Sequence, residues 1–400
     1  MAQSIDVAAV ELHRKHQGKL GVTSLFPVTD KAMLSLVYTP GVAAVSKKIH
    51  ERPEESFNLT SRGRTIAVIS DGTAVLGLGD IGPEAAMPVM EGKSLLMKLF
   101  AGVDSVPLVI NTKDVGEIIH FVKAVAPSFA GINLEDISAP RCFEIEENLQ
   151  DLGIPVFHDD QHGTAIVVMA ALLNAAKVVR KPFSSLKVVV VGAGAAGLAV
   201  TKMLLGFDCQ AGECHLVSDA QRVQDVVVVD SRGALWVGRD DMNVYKQAVA
   251  GMSNHHHQHG SLEDVLVDAD VVIGVSGPKL IPAQAIRRMA PRAIVFAMAN
   301  PIPEIMPDEA KAAGAAVVAT GRSDYPNQIN NVLAFPAVFR AVVDARLPRI
   351  TQAMKQAAAS TLAGLVAKPT SELILPPAFD ERIVPAVAKS VKEAYVAESP

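Results

Sequence analysis

Four consecutive valines, Val188 to Val191, run straight into Gly192-Ala193-Gly194-Ala195-Ala196-Gly197, and Leu198 to Leu205 follows with a helical composition. An unbroken β-branched run bounded by glycine reads as a strand covered on both faces, the situation of a parallel sheet flanked by helices. The glycine spacing has a mechanical meaning. Gly192 permits a tight turn, Gly194 lets a pyrophosphate approach the backbone, and Gly197 lets helix and strand pack closely. The amino terminus of the following helix faces those phosphates. Between a strand and a helix, this G-x-G-x-x-G predicts a dinucleotide-binding half of the Rossmann type, built on a doubly wound parallel sheet.

A second turn constrains the other half. Ile154-Pro155-Val156-Phe157 reads as a buried strand, and Ala165 to Val179 is almost wholly apolar or small at a length only a helix uses. Between them, Asp159 and Asp160 sit at a strand's carboxyl end beside the positive end of a helix. Adjacent acids there need a counter-charge, and a divalent cation with oxygen ligands supplies it. Phe129 to Leu134 is another strand, running into Glu135-Asp136. Taken singly, Asp136 reads as the cap of a helix beginning near Pro140. Two acidic pairs at the strand ends of one sheet, where ligands collect, point instead to a shared metal.

At 400 residues the chain is too long for one ordinary core, so two α/β domains are expected. An N-terminal substrate and metal domain covers 1–158, with 331–400 packing back onto it, and the dinucleotide-binding domain covers 159–330. The chain is 50% hydrophobic but 4% aromatic, so Val, Ala, Leu and Ile must build the core. A formal charge of −5 with no basic block argues against nucleic acid or an anionic membrane as partner. The polar start, Met1 to Gln17, and the lack of a long uninterrupted apolar span lead to an expected cytoplasmic location. Cys142, Cys209 and Cys214 suggest neither a disulfide framework nor a zinc site.

Other residues stand out by position. Met90 to Phe100 reads as a helix with Lys93 in its first turn, where the dipole lowers a lysine pKa and favours a general base. Tyr38 precedes the turn Thr39-Pro40-Gly41, so its hydroxyl is either aimed across a cleft or packed at a domain edge. For the acid that meets the adenosine ribose, Asp230 ends the better strand, Val226 to Val229, with Asp208 to Gln224 as an inserted loop. Asp219 fits the expected spacing of about 20 residues better but follows a poorer strand. Asp230 favours NAD, and Arg232 nearby softens that towards NADP. Asn300 follows a strand of the nucleotide half, and Asn330-Asn331 lie on a loop that can enter the cleft. His255-His256-His257-Gln258-His259 reads as a solvated loop tip.

Assembled in order, these motifs resemble the malic enzyme family in its short bacterial form. The resemblance rests on Tyr38-Thr39-Pro40-Gly41, Leu76-Gly77-Leu78-Gly79-Asp80, Glu91-Gly92-Lys93, Leu134-Glu135-Asp136 and Asp159-Asp160-Gln161-His162-Gly163-Thr164. Gly192 to Gly197, Asn300-Pro301 and Asn330-Asn331-Val332 complete it. It implies oxidative decarboxylation of L-malate to pyruvate and CO2 with NAD or NADP, dependent on Mg2+ or Mn2+. It also implies metal ligation by Glu135, Asp136 and Asp160, with Lys93 as base, Tyr38 as acid and Asp159 orienting Lys93. Asn300 and Asn331 would contact substrate or nicotinamide, and a homodimer or higher homo-oligomer is expected, with the amino-terminal helix and the Tyr38 region at the interface. One departure is Ala74, just before the Leu76-Gly77-Leu78-Gly79-Asp80 motif, where larger members carry an arginine that helps bind the substrate carboxylate.

Overall fold

The computed structural model describes residues 5–75, 77–210, 213–217 and 220–398. Leu76 of the glycine-rich motif lies outside them, as do Ser218 and the alternative ribose acid, Asp219.

The first sheet is built from β1 (Thr65–Ser70), β2 (Asp104–Val109), β3 (Gly131–Leu134) and β4 (Val156–His158), all parallel in the order β2-β1-β3-β4. The second half contributes β5 (Lys187–Val191), β6 (Phe207–Gln210), β7 (Glu213–Leu216), β8 (Asp225–Asp230), β9 (Gly233–Ala234), β10 (Val271–Gly274), β11 (Ile294–Ala297) and β12 (Val317–Thr320). Six of them order as β12-β11-β10-β5-β8-β9, parallel except for β9, so the chain leaves β5 first to one side and later to the other. That doubly wound order opens a crevice beyond the end of β5. The valine run is divided between two cores as a strand's alternation requires. Val188 and Val190 face one cluster of buried residues, while Val189 and Val191 face the other.

The helix Asp159–Val179 is the spine between the halves. It starts directly at the acidic pair and ends at Arg180, which takes a left-handed conformation (φ 51°) and returns its N–H to Ala176 and Lys177. By length and composition alone it could cross a membrane, contrary to the expectation of no long apolar span. Nearly all of it is buried in the protein, against the helices Ala195–Leu205 and Gln352–Gly364, so its apolarity serves the core. Asn174 on this helix is fully buried and donates to Ala363 O at 2.8 Å and Ile374 O at 2.9 Å, pinning the C-terminal segment. Another C-terminal helix, Phe335–Ala345, packs on the helix Pro83–Ala101 of the first half.

One expectation needs correction. Cys209 and Cys214 form a disulfide. The inserted segment folds back as the antiparallel pair β6–β7, which sets the two cysteines directly opposite with Cα atoms 4.0 Å apart. Spacing alone did not show that hairpin. The N-terminal helices Ile5–His16, Lys31–Val37 and Gly41–Glu51 bury no residue, and Leu25 and Phe26 between the first two are exposed, as is Leu36. Lys19 Nζ donates to Pro88 O at 2.6 Å and ties this arm to the first half.

Candidate active site

Strand register brings the acids together. β3 and β4 are neighbours with Leu134 beside His158, so Glu135-Asp136 and Asp159-Asp160 leave the sheet side by side. Asp136 takes a left-handed backbone (φ 54°), and its N–H donates to Asp160 Oδ2 at 2.8 Å. Asp136 caps no helix: Pro140 precedes the helix Arg141–Glu147 without a side-chain bond. One carboxylate oxygen each from Glu135, Asp136 and Asp160 lies within 4.8 Å of the others, with Glu135 and Asp136 buried. Three hard anionic donors at this spacing repel one another and match the donor set of Mg2+ or Mn2+. The residues present therefore fit such an ion.

Lys93 borders the cluster. It lies deep in the helix Pro83–Ala101 rather than in a first turn, so the helix dipole does not act on it as expected from sequence. Its ammonium donates to Glu135 Oε1 at 2.9 Å and to Asp159 Oδ2, and stands 4.8 Å from the centre of the Phe335 ring. Burial disfavours its charge, but Asp159, Glu135 and Asp160 outweigh burial and hold the pKa above the usual lysine value. Burial, with Asp160, Asp159 and Asp136 adding to it and Lys93 opposing, pushes Glu135 well above the carboxylate range.

Asp159 is fully buried and organises its neighbours. Asn331 Nδ2 reaches both its Oδ2 and its carbonyl at 3.2 Å, and Thr164 Oγ1 donates to Asn331 Oδ1 at 3.2 Å. One turn along the helix, a Cβ on Gly163 would lie 1.8 Å from Asp159 Oδ1, so only glycine leaves the carboxylate its position. Asn133 Nδ2 similarly steadies Glu135 Oε2 at 2.9 Å.

Tyr38 stands apart. It is 66% exposed, and among the described residues no hydrogen bond joins it to this cluster. In the nucleotide half, a Cβ on Gly197 would meet Gly192 O at 1.8 Å, whereas one on Gly194 meets nothing within 4 Å, leaving room above the turn. Gly192 N donates to Val229 O at 2.8 Å, placing Asp230 beside the turn at the tip of β8. Asp230 Oδ2 accepts from Arg239 Nη2 at 2.6 Å and Lys246 Nζ at 2.7 Å, and Oδ1 accepts from Arg232 N at 2.9 Å. Burial raises its pKa, but these donors prevail and hold it at about 2. Asn300 O approaches the first half, where a Cβ on Gly77 would lie 2.4 Å from it.

Sequence reasoning missed the supports. Glu146 accepts from His158 N at 3.1 Å and Gln161 Nε2 at 2.9 Å, and pairs with His162 Nε2 at 2.8 Å. Lys355 Nζ in turn lies 3.0 Å from His162 Nδ1. Arg141 donates to Asp71 Oδ2, Thr73 Oγ1 and Lys113 O, all at 2.8 Å, and to Ser138 Oγ at 3.1 Å. Its bond to Thr73 sets this guanidinium beside Ala74, a long-range contact that no local sequence signal announces.

An acidic cluster facing a lysine, on a chain that also carries a doubly wound glycine-turn sheet, defines the class of dinucleotide-dependent α/β oxidoreductases. The malic enzyme N-terminal domain matches residues 17–115 and 111–150, and the malic enzyme NAD binding domain matches 161–395. The bifunctional malic/malolactic enzyme of Bacillus subtilis is 50% identical over 395 residues, covering 98% of this chain and 93% of that protein. The NAD-dependent malic enzyme of Geobacillus stearothermophilus is 52% identical over 380 residues, covering 94% and 76%. Among solved structures, the NAD-dependent malic enzyme of Thermotoga maritima superposes with a TM-score of 0.89 at 45% identity, covering 96% of this chain and 98% of that one. The chain belongs to the malic enzyme family.

Proposed function

We propose that this protein oxidatively decarboxylates L-malate to pyruvate and CO2 while reducing NAD or NADP, with Mg2+ or Mn2+ at Glu135, Asp136 and Asp160. The observation that carries the reading is the convergence of those three carboxylates, from two neighbouring strand tips, onto the side where Lys93 enters. An ion held by Glu135, Asp136 and Asp160 would supply Lewis acidity towards the 2-hydroxyl and its carbon-bound charge, and a nicotinamide at the glycine turn would supply the hydride acceptor. Lys93 Nζ takes the hydroxyl proton, held in place by Asp159 Oδ2 and, through Asp159, by Asn331. A cation compensating Glu135 and Asp160 would weaken the pull that holds the Lys93 proton. Tyr38 delivers the closing proton to carbon, which requires the N-terminal arm to bring its hydroxyl to the cluster. Asn300 contacts the substrate or the nicotinamide from the tip of β11.

A homodimer is the assembly we favour, located in the cytoplasm. The arm from Val22 to Val45 exposes Leu25, Phe26 and Leu36, apolar side chains that a second copy of the chain would cover. Asp230 supports NAD, and the basic residues around it leave room for NADP. As part of the same proposal, the chain divides into 1–158 with 331–400 packing back on it, and 159–330.

The test is malate-dependent reduction of NAD and NADP side by side, with and without Mn2+. Metal-dependent appearance of NAD(P)H with pyruvate is the expected result; absence of turnover with both cofactors would refute the proposal. A second reading, a malolactic reaction that keeps its dinucleotide bound and releases lactate, gains support from the name of the Bacillus subtilis relative. Lactate formed without net NAD(P)H would favour it.

A further inference from the structure

Glu304 has no part in the chemistry above, yet it is fully buried, and its hydrogen-bond partners are backbone groups. It follows Asn300-Pro301 in the loop after β11. Oε1 accepts from Ser276 N at 2.9 Å, just past the end of β10, and Oε2 accepts from Ala299 N at 3.0 Å, just past the end of β11. One carboxylate thus clamps the tips of two adjacent strands. The carboxylate also fills the space beside β10: a Cβ on Gly274 would lie 2.4 Å from Glu304 Cδ. Both clamped tips line the crevice. Ser276 lies over the phosphate turn, where a Cβ on Gly192 would come within 2.8 Å of Ser276 Cβ, and Asn300 directly follows Ala299. A buried carboxylate is costly unless its oxygens are hydrogen-bonded, and here each oxygen has one strand tip to hold.

We propose that Glu304 is a positioning residue for the dinucleotide: by holding Ser276 and Ala299 at a fixed separation, it sets the width of the crevice that receives the nicotinamide end. This rests on the dinucleotide-dependent reading of the site. A glutamine in its place offers one acceptor oxygen and turns an N–H2 donor towards the other N–H, so one strand tip is released.

The test compares Glu304→Gln and Gly274→Ala with the unaltered protein. Gly274→Ala drives the carboxylate off its donors without removing it. NADH and NADPH affinity is measured by fluorescence titration without malate, Mn2+ affinity without dinucleotide, and the KM for NAD(P)+ against kcat. Both variants should bind dinucleotide about tenfold more weakly, the order expected for one lost charge-assisted hydrogen bond, with Mn2+ affinity unchanged. Unchanged dinucleotide affinity in Glu304→Gln would overturn the proposal. So would an equal loss of Mn2+ affinity in both variants, which marks general loosening. Failure of the unaltered protein to turn over malate would strike the functional reading alone, because the affinities are measured without it.

Discussion

Asp159 Oδ2 receives Lys93 Nζ and Asn331 Nδ2 together, so this one carboxylate places a lysine from the first half and an amide from the loop ahead of the Phe335 helix. Lys93→Ala should lower malate-dependent kcat by at least about a thousandfold while leaving NADH binding intact, as checked by steady-state kinetics and fluorescence titration. Gly163→Ala should act on the same geometry, because its Cβ meets Asp159 Oδ1 at 1.8 Å. Overpacking of this kind costs about 1–3 kcal/mol, and here kcat should fall as well as Tm. The adjacency of Asp159 and Asp160 was legible because two acids on a strand-to-helix turn demand a counter-charge. Lys93 was singled out for a dipole it does not feel. What sets its behaviour is a carboxylate 66 residues away, a contact that no local pattern encodes.

Among the elements, the first turn of the Asp159 helix depends on Glu146, whose carboxylate collects His158 N, Gln161 and His162. Burial raises its pKa, but His162, Lys355 and His158 hold it down at about 2. Glu146→Ala leaves these buried donors without an acceptor and should destabilise the protein by about 3–5 kcal/mol in urea unfolding, with weaker Mn2+ binding. Asp230 at the tip of β8 gives a pH signature. Its pKa is lower in the folded protein than in the unfolded chain, so its stabilising contribution is complete above about pH 4 and is lost as the pH falls through about 2. In Asp230→Asn, urea midpoints should decline less between those values. The strands were readable because valine runs bounded by glycine leave few alternatives. The β6–β7 hairpin was not, because its two strands are four residues each, the shortest run over which alternation can mark a strand.

On the scale of the whole molecule, one cluster of buried residues includes side chains from both sheets, and the Asp159 helix lies within it. The halves should therefore melt in a single calorimetric transition despite matching two family domains, and two resolved peaks would contradict this. The exposed arm makes a second prediction. Phe26→Asp with Leu36→Asp should shift sedimentation equilibrium from dimer to monomer and cost most of the malate activity. The two-domain α/β architecture was legible from the glycine turn and the acidic strand ends. An interface at the amino-terminal helix and the Tyr38 region was already implied by the family resemblance. Which apolar side chains the arm leaves bare was not legible, because whether such a side chain finds a neighbour is decided by the rest of the fold. One close contact sets a limit on how this molecule can vary. Gly77 lets the carbonyl of Asn300 come so near that even a methyl group would wedge the crevice apart. Divergence at that spot is therefore barred by simple bulk, whatever the surrounding loops become.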